Sequence, residues 1–132
     1  MRKLLYALQK LELEISAKKG PLTLFGVFRR ESSVRTWDLI LSAPWMDDHD
    51  LPYLRRFAKM LAGEVGSAGM SMLSRLDGLH TKDPFVVAVR RVIPPLKHGC
   101  AMLQKGEYGG VEFSMGFVIT SKPVKVRRPI SV

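Results

Sequence analysis

Hydrophobic positions along this 132-residue chain change their period several times, and each change marks an element. From Arg2 to Ala17, Leu4, Leu8, Leu11 and Ile15 fall on one narrow stripe at the helical period, with Lys10, Glu12 and Glu14 to the sides. That pattern predicts a surface helix with one buried face. Leu11, Leu13 and Ile15 also alternate as a strand start does, but the helical match is longer. Lys18-Lys19-Gly20-Pro21 then stops it, because cations suit the negative end of the helix dipole, glycine suits the position after the last turn, and proline cannot continue. Leu22 to Arg30 is apolar on both faces. After the polar Glu31-Ser32-Ser33, Val34 to Ala43 sets Trp37, Leu39 and Leu41 on one face and Thr36, Asp38, Ile40 and Ser42 on the other. The two segments read as an antiparallel hairpin whose first strand is central in its sheet.

From Leu51 to Val65 the helical period returns, with Leu51, Leu54, Phe57, Ala58, Leu61, Ala62 and Val65 on one side and Arg55, Arg56 and Lys59 opposite. Gly63, Gly66 and Gly69 predict that this helix stops near Leu61. Alternation of Met70, Met72, Ser74 and Leu76 favours a strand next. Asp83-Pro84 is a helix entrance, with Asp as cap and Pro in the first turn, followed by the stripe Phe85, Val86, Val89, Val92 and Ile93 and the stop Pro94-Pro95. In the last third Val111, Phe113, Met115, Phe117 and Ile119 alternate with smaller and polar residues, a strand with one apolar face. Its expected partner is Gly99 to Lys105, with Gly106 to Gly110 as the turn. These elements imply an α+β fold: an antiparallel or mixed sheet of about four to five strands in two hairpins, covered on one face by about three helices. Residues 1–120 form one domain, and residues 121–132 a basic C-terminal tail.

Composition supports a folded chain, with 46% hydrophobic and 25% charged residues. The charge balance changes the picture: 21 Lys plus Arg against 12 Asp plus Glu give a formal net charge of +9. A field of that sign attracts polyanions and acidic partners. The single cysteine, Cys100, cannot close an intramolecular disulfide, so a small secreted scaffold is excluded and a reducing cytoplasm is the expected setting. Met1-Arg2-Lys3 and the following leucines resemble a signal peptide, but Gln9, Lys10, Glu12 and Glu14 interrupt the apolar run.

One stretch concentrates ligand-type side chains: Asp47-Asp48-His49-Asp50, just before the second helix. A hard cation needs several carboxylate oxygens at one point, and neighbouring side chains on a regular element diverge. No calcium-loop glycine follows, and His80, His98 and Cys100 stand at no recurring zinc spacing. Acids at this place cap a helix, with Asp48 or Asp50 as the cap residue. No metal site and no cofactor are expected. Asp38 with an upstream Glu12 or Glu14 partly matches the metal-dependent nucleases of the PD-(D/E)xK type, but no Glu-x-Lys follows; Glu112-Phe113-Ser114 lacks the lysine. Ser67, Ser71 and Ser114 lie in no nucleophile motif, and Gly66-Ser67-Ala68-Gly69 lacks the ending of a phosphate loop. His80 and His98 flank the third helix and read as surface or capping residues. Cys100 reads as a small core residue within a strand. No catalytic residue is assigned.

The cations remain. Arg55, Arg56 and Lys59 make a basic helix face, and Lys122, Lys125, Arg127 and Arg128 a basic tail kept extended by Pro123 and Pro129. Tyr53 beside the face is placed to stack on a base, although no RRM, KH, zinc-finger or helix-turn-helix signature is present. Trp45 and Tyr53, with Met46 and Met60, lie off the main apolar stripes and mark an alternative protein-interaction surface. The expectation is a non-enzymatic binding module whose basic surface meets nucleic acid or an acidic protein. The alternative is a partner-binding or self-associating module with incidental charge, and a third reading is a nuclease-like metalloenzyme.

Overall fold

The computed structural model of the chain describes residues 1–31, 35–47, 51–95 and 100–121. It is α+β. The helices are α1 (Arg2–Lys19), α2 (Leu51–Met70) and α3 (Pro84–Val92). The strands are β1 (Leu24–Arg30), β2 (Trp37–Ser42), β3 (Leu73–Gly78), β4 (Ala101–Leu103), β5 (Gly106–Tyr108) and β6 (Val111–Ser121). They make one mixed six-stranded sheet in the order β3-β2-β1-β6-β4, with β5 paired to the start of β6. β1 and β2 form the expected antiparallel hairpin, Leu24 opposite Ser42 and Phe28 opposite Asp38. β3 runs parallel to β2, which α2 makes possible by carrying the chain back across the sheet.

The helices divide between the two faces of the sheet, where the sequence had suggested one. Leu4, Leu8, Leu11 and Ile15 of α1 and Phe57 and Leu61 of α2 pack on Phe25, Val27, Leu39 and Leu41. On the other face Phe85, Val86 and Val89 of α3 pack on Leu24, Phe28, Ile40 and Val118. The reason lies in β1 and β2: Leu24 to Phe28 and all of β2 are buried, so both faces need an apolar cover. Each leucine of the α1 stripe is 3% exposed or less, worth about 1.5–3 kcal/mol of burial.

Three other expectations need correcting. α2 runs one turn past Leu61, to Val65, before Gly66 (φ 68, ψ −177) breaks it, and a last short stretch of helix resumes as far as Met70. Packing of Val65 and Met70 against the core holds the segment on either side of the break. β6 does not present one apolar face. Register shifts between Arg29 and Arg30, and between Phe25 and Gly26, each insert an extra β6 residue. As a result Val111 and Phe113 face the α3 side, whereas Met115, Phe117 and Ile119 face α1 and α2. Finally, the segment before β6 is two short strands. β4 pairs with the later part of β6 and β5 with its start, leaving only Gly109-Gly110 as the turn. Both of these glycines have positive φ, 60° and 86°, as a two-residue hairpin of the I′ type requires.

α3 begins as expected, with Asp83 accepting a hydrogen bond from the Phe85 N–H (2.9 Å) and Pro84 in the first turn. No helix among the described residues is long and apolar enough to cross a membrane.

Gly109 and Gly110 provide a test of this packing. A Cβ on Gly109 overlaps the backbone of Pro84 and Phe85, whereas one on Gly110 meets open space. Gly110→Ala is therefore expected to cost about 1–2 kcal/mol from the left-handed backbone alone. Gly109→Ala should cost clearly more, as denaturant unfolding of the two variants will measure.

Candidate nucleic-acid interface

The C-terminal end of α1 and the N-terminal end of α2 lie side by side because the two helices run antiparallel; Lys10 of α1 reaches Glu64 of α2 at 3.5 Å. Between the ends sits an aromatic pair. Trp45, in the short turn of helix Pro44–Met46 that follows β2, donates its indole N–H to the Gly20 carbonyl (3.2 Å). Its ring meets Tyr53 edge to face, with centroids 5.0 Å apart and planes at 89°. Gly20 has φ +112°, the left-handed region that ends α1 and turns the chain under the indole.

Cations from both helices gather round this pair. The Lys19 ammonium lies 5.7 Å from the Trp45 ring and 5.1 Å from the Tyr53 ring. The Arg56 guanidinium lies 5.7 Å from the Tyr53 ring. Such contacts hold a charge over an aromatic face while leaving it wet on its outer side. Lys18, Arg55 and Lys59 are exposed on the same two helices. Among the described residues no carboxylate pairs with Arg55, Arg56 or Lys59. On α2 Lys59 lies four positions after Arg55 and three after Arg56, so it neighbours each of them on the helix surface.

The sequence had pointed to Arg55, Arg56 and Lys59 on one helix and to Trp45 and Tyr53 beside them; the structure joins Trp45, Tyr53 and Arg56 and leaves Arg55 and Lys59 exposed on the same helix. Tyr53 is 6% exposed, its ring engaged by Trp45, Lys19 and Arg56, and so presents almost no face to a base. Trp45 is half-buried. Lys122, Lys125, Arg127 and Arg128 lie outside the described residues, as do Asp48, His49, Asp50 and His98. Lys18 and Lys19 were legible only as a helix stop. Nothing in their spacing announces that Lys19 stands over Tyr53, because that neighbourhood is made by the pairing of the two helices.

The carboxylates named as candidate ligands serve separate structural tasks. Asp38 is 3% exposed and accepts from Arg30 Nε (2.7 Å) and Ser74 Oγ (2.8 Å), tying together β1, β2 and β3. Asp47 lies past the opposite end of β2 and accepts from the Thr81 N–H (2.9 Å) and hydroxyl (2.5 Å), fastening the loop that leads to α3. His80 Nε2 stands 3.7 Å from the same carboxylate, while its Nδ1 accepts from the Lys82 N–H at 3.0 Å. Asp38 and Asp47 thus do not converge. Among the described residues no group of three or more His, Cys, Asp or Glu side chains is arranged to hold a metal ion. Cys100 is exposed just ahead of β4, not buried within a strand, and partial desolvation of its sulfur pushes the thiol pKa up. A nucleophilic thiol needs the reverse shift.

Comparison of the chain with protein-family models, with curated proteins and with solved structures finds no match. Its chemistry rests on these side chains alone.

The two carboxylates can be tested directly. Asp38→Ala removes the buried acceptor of Arg30 and Ser74, and Asp47→Ala leaves the Thr81 N–H and hydroxyl without their acceptor; each is expected to lower unfolding free energy by about 1–3 kcal/mol. Denaturant titration measures that loss.

Proposed function

We propose that the chain is a non-enzymatic binding module that holds nucleic acid by its phosphates. The observation that carries this reading is that exposed cations of two helices meet at one aromatic pair, Lys19 of α1 over Trp45 and Tyr53 and Arg56 of α2 over Tyr53, with Lys18, Arg55 and Lys59 exposed on the same helices. Arg and Lys at such a surface position a nucleic-acid backbone without reading sequence. The burial of Tyr53 favours phosphate tracking over base stacking, and the half-buried indole of Trp45 is the one aromatic edge at hand. The net charge of +9 adds long-range attraction and speeds encounter. The basic tail residues Lys122, Lys125, Arg127 and Arg128 belong to the same proposal, as a second set of phosphate contacts.

A salt titration tests it. Each neutralised phosphate contributes a slope of about −0.9 to log K against log salt on duplex DNA, and about −0.7 on single strands. Replacing Arg55, Arg56 and Lys59 together by glutamine should flatten the duplex slope by about 2–3. Truncation after Ser121 should flatten it further. Undetectable binding to duplex DNA, single-stranded DNA and RNA at low salt, or an unchanged slope in the triple variant, would overturn the reading.

A further inference from the structure

Away from the cationic cluster, a second surface opens where the cover of α1 and α2 runs out. Met102 on β4 stands opposite Phe117 of β6, hence on the face that the helix pair covers elsewhere, yet it is 58% exposed. Met115 and Phe117 beside it are half-buried. Arg29 lies across this patch, its guanidinium 5.0 Å from the Trp37 ring and its Nη2 3.5 Å from the Met115 sulfur. The Trp37 backbone N–H donates to the Met72 carbonyl (2.8 Å). Met72 in turn lines a cleft of about 420 Å³ between the first turn of α1 and the last turns of α2. Its walls are mostly apolar, Leu4, Val65 and Ala68 among them, with the exposed Arg2 and Lys3 at the rim. The one acid there, Glu64, is engaged by Lys10.

We propose that this methionine-lined surface receives an amphipathic helix with acidic flanks, carried by another protein. Unbranched thioether side chains adapt their shape to an apolar stripe, which is how helix-receiving grooves are commonly lined. Arg2, Lys3 and Arg29 border the apolar floor and complement carboxylates on either side of such a stripe. Charge decides between occupants. A second copy of this chain, itself carrying +9, brings like charge onto the same three cations. A bilayer is gripped by apolar side chains that project into it, and here most are recessed: Trp37 is 6% exposed and Met115 and Phe117 half-buried. Nucleic acid finds no free ring to stack on, because Trp37 is covered by Arg29 and by Phe117 at 5.6 Å.

The experiment is a selection of phage-displayed helices with a fixed leucine stripe and flanking positions randomised over Asp, Glu, Lys, Arg and Ser, using the full chain and its Met102→Glu variant as baits. The wild-type chain should enrich Asp and Glu at the flanks by about tenfold, and the variant should lose that enrichment, since its added carboxylate repels the same flanks. Met102 is exposed at a sheet margin, so the variant should melt as the parent does. In methyl spectra of ¹³C-methionine-labelled protein, the selected peptide should shift Met72, Met102 and Met115 and leave the buried Met46 in place. No enrichment, enrichment of Lys and Arg, or undiminished selection by Met102→Glu would overturn the proposal. So would sedimentation with phosphatidylserine vesicles, or a concentration-dependent dimer, that Met102→Glu abolishes; these would assign the surface to a membrane or to a second copy. The triple glutamine variant at Arg55, Arg56 and Lys59 should select the same peptides, which separates this surface from the nucleic-acid reading.

Discussion

The ladder between β1 and β6 carries both cores of the molecule, because β1 presents large apolar side chains to either face. Phe25 and Val27 close the core beneath α1 and α2, and Leu24 and Phe28 the core against α3. β6 matches them only by changing its own faces at the two register shifts. Close approach of the strands depends on small residues on the α3 side: a Cβ on Gly26 would press the Phe117 carbonyl, and one on Gly116 the Phe28 ring. Phe28 takes that space and meets Phe85 and Phe113 at 5.1 and 5.6 Å. A sheet buried on both faces needs helices on both, and α1 and α2 can lie antiparallel on one face because α3 alone serves the other.

That antiparallel placement also organises charge. It puts the basic end of α1 next to the basic start of α2, and Trp45 with Tyr53 fills the gap between them. Beyond the opposite end of β1, Glu31 ion-pairs with Lys105 at 3.0 Å, and Glu107 stands directly across from Glu112 on the β5–β6 hairpin. Like charges opposed in this way weaken a strand pair by up to about 1 kcal/mol. The hairpin compensates through other contacts, among them the Tyr108 hydroxyl donating to the Gln104 carbonyl (2.7 Å) and the close seat of Gly109 on α3. Cations share that end, Arg29 and Arg30 of β1 and Lys105 among them, so these glutamates stand in a mixed field.

Local pattern in the sequence carried much of this architecture. The stripe of Leu4, Leu8, Leu11 and Ile15, the Asp83-Pro84 entrance and the first hairpin follow from period and capping chemistry, and each stands as read. What depended on distant partners did not. Alternation from Val111 to Ile119 looked unbroken because a bulge is visible only against the strand it pairs with. The glycines of α2 argued for a stop near Leu61; the break comes at Gly66 instead, because packing of Val65 against the core carries the helix one turn further. Asp38 and Asp47 looked like ligands to weigh together, and only the fold shows that Arg30 and Ser74 engage one and Thr81 the other. The same limit hid the open margin at Met102, since an apolar residue in an alternating strand gives no sign that its covering helix ends short.

The β1–β6 ladder has one further consequence, in the order in which the molecule can come into being. Leu24 pairs with Ser121, a partner made about a hundred residues later. Until β6 leaves the ribosome, β1 has β2 on one side and an open, apolar edge on the other, a template for pairing with another chain. Neither core can close before then, so α1 and α2 must wait with their leucine faces in water. A domain of this topology gathers its decisive contacts only once its last strand has been made, and truncations that remove β6 should yield aggregates rather than smaller folded pieces.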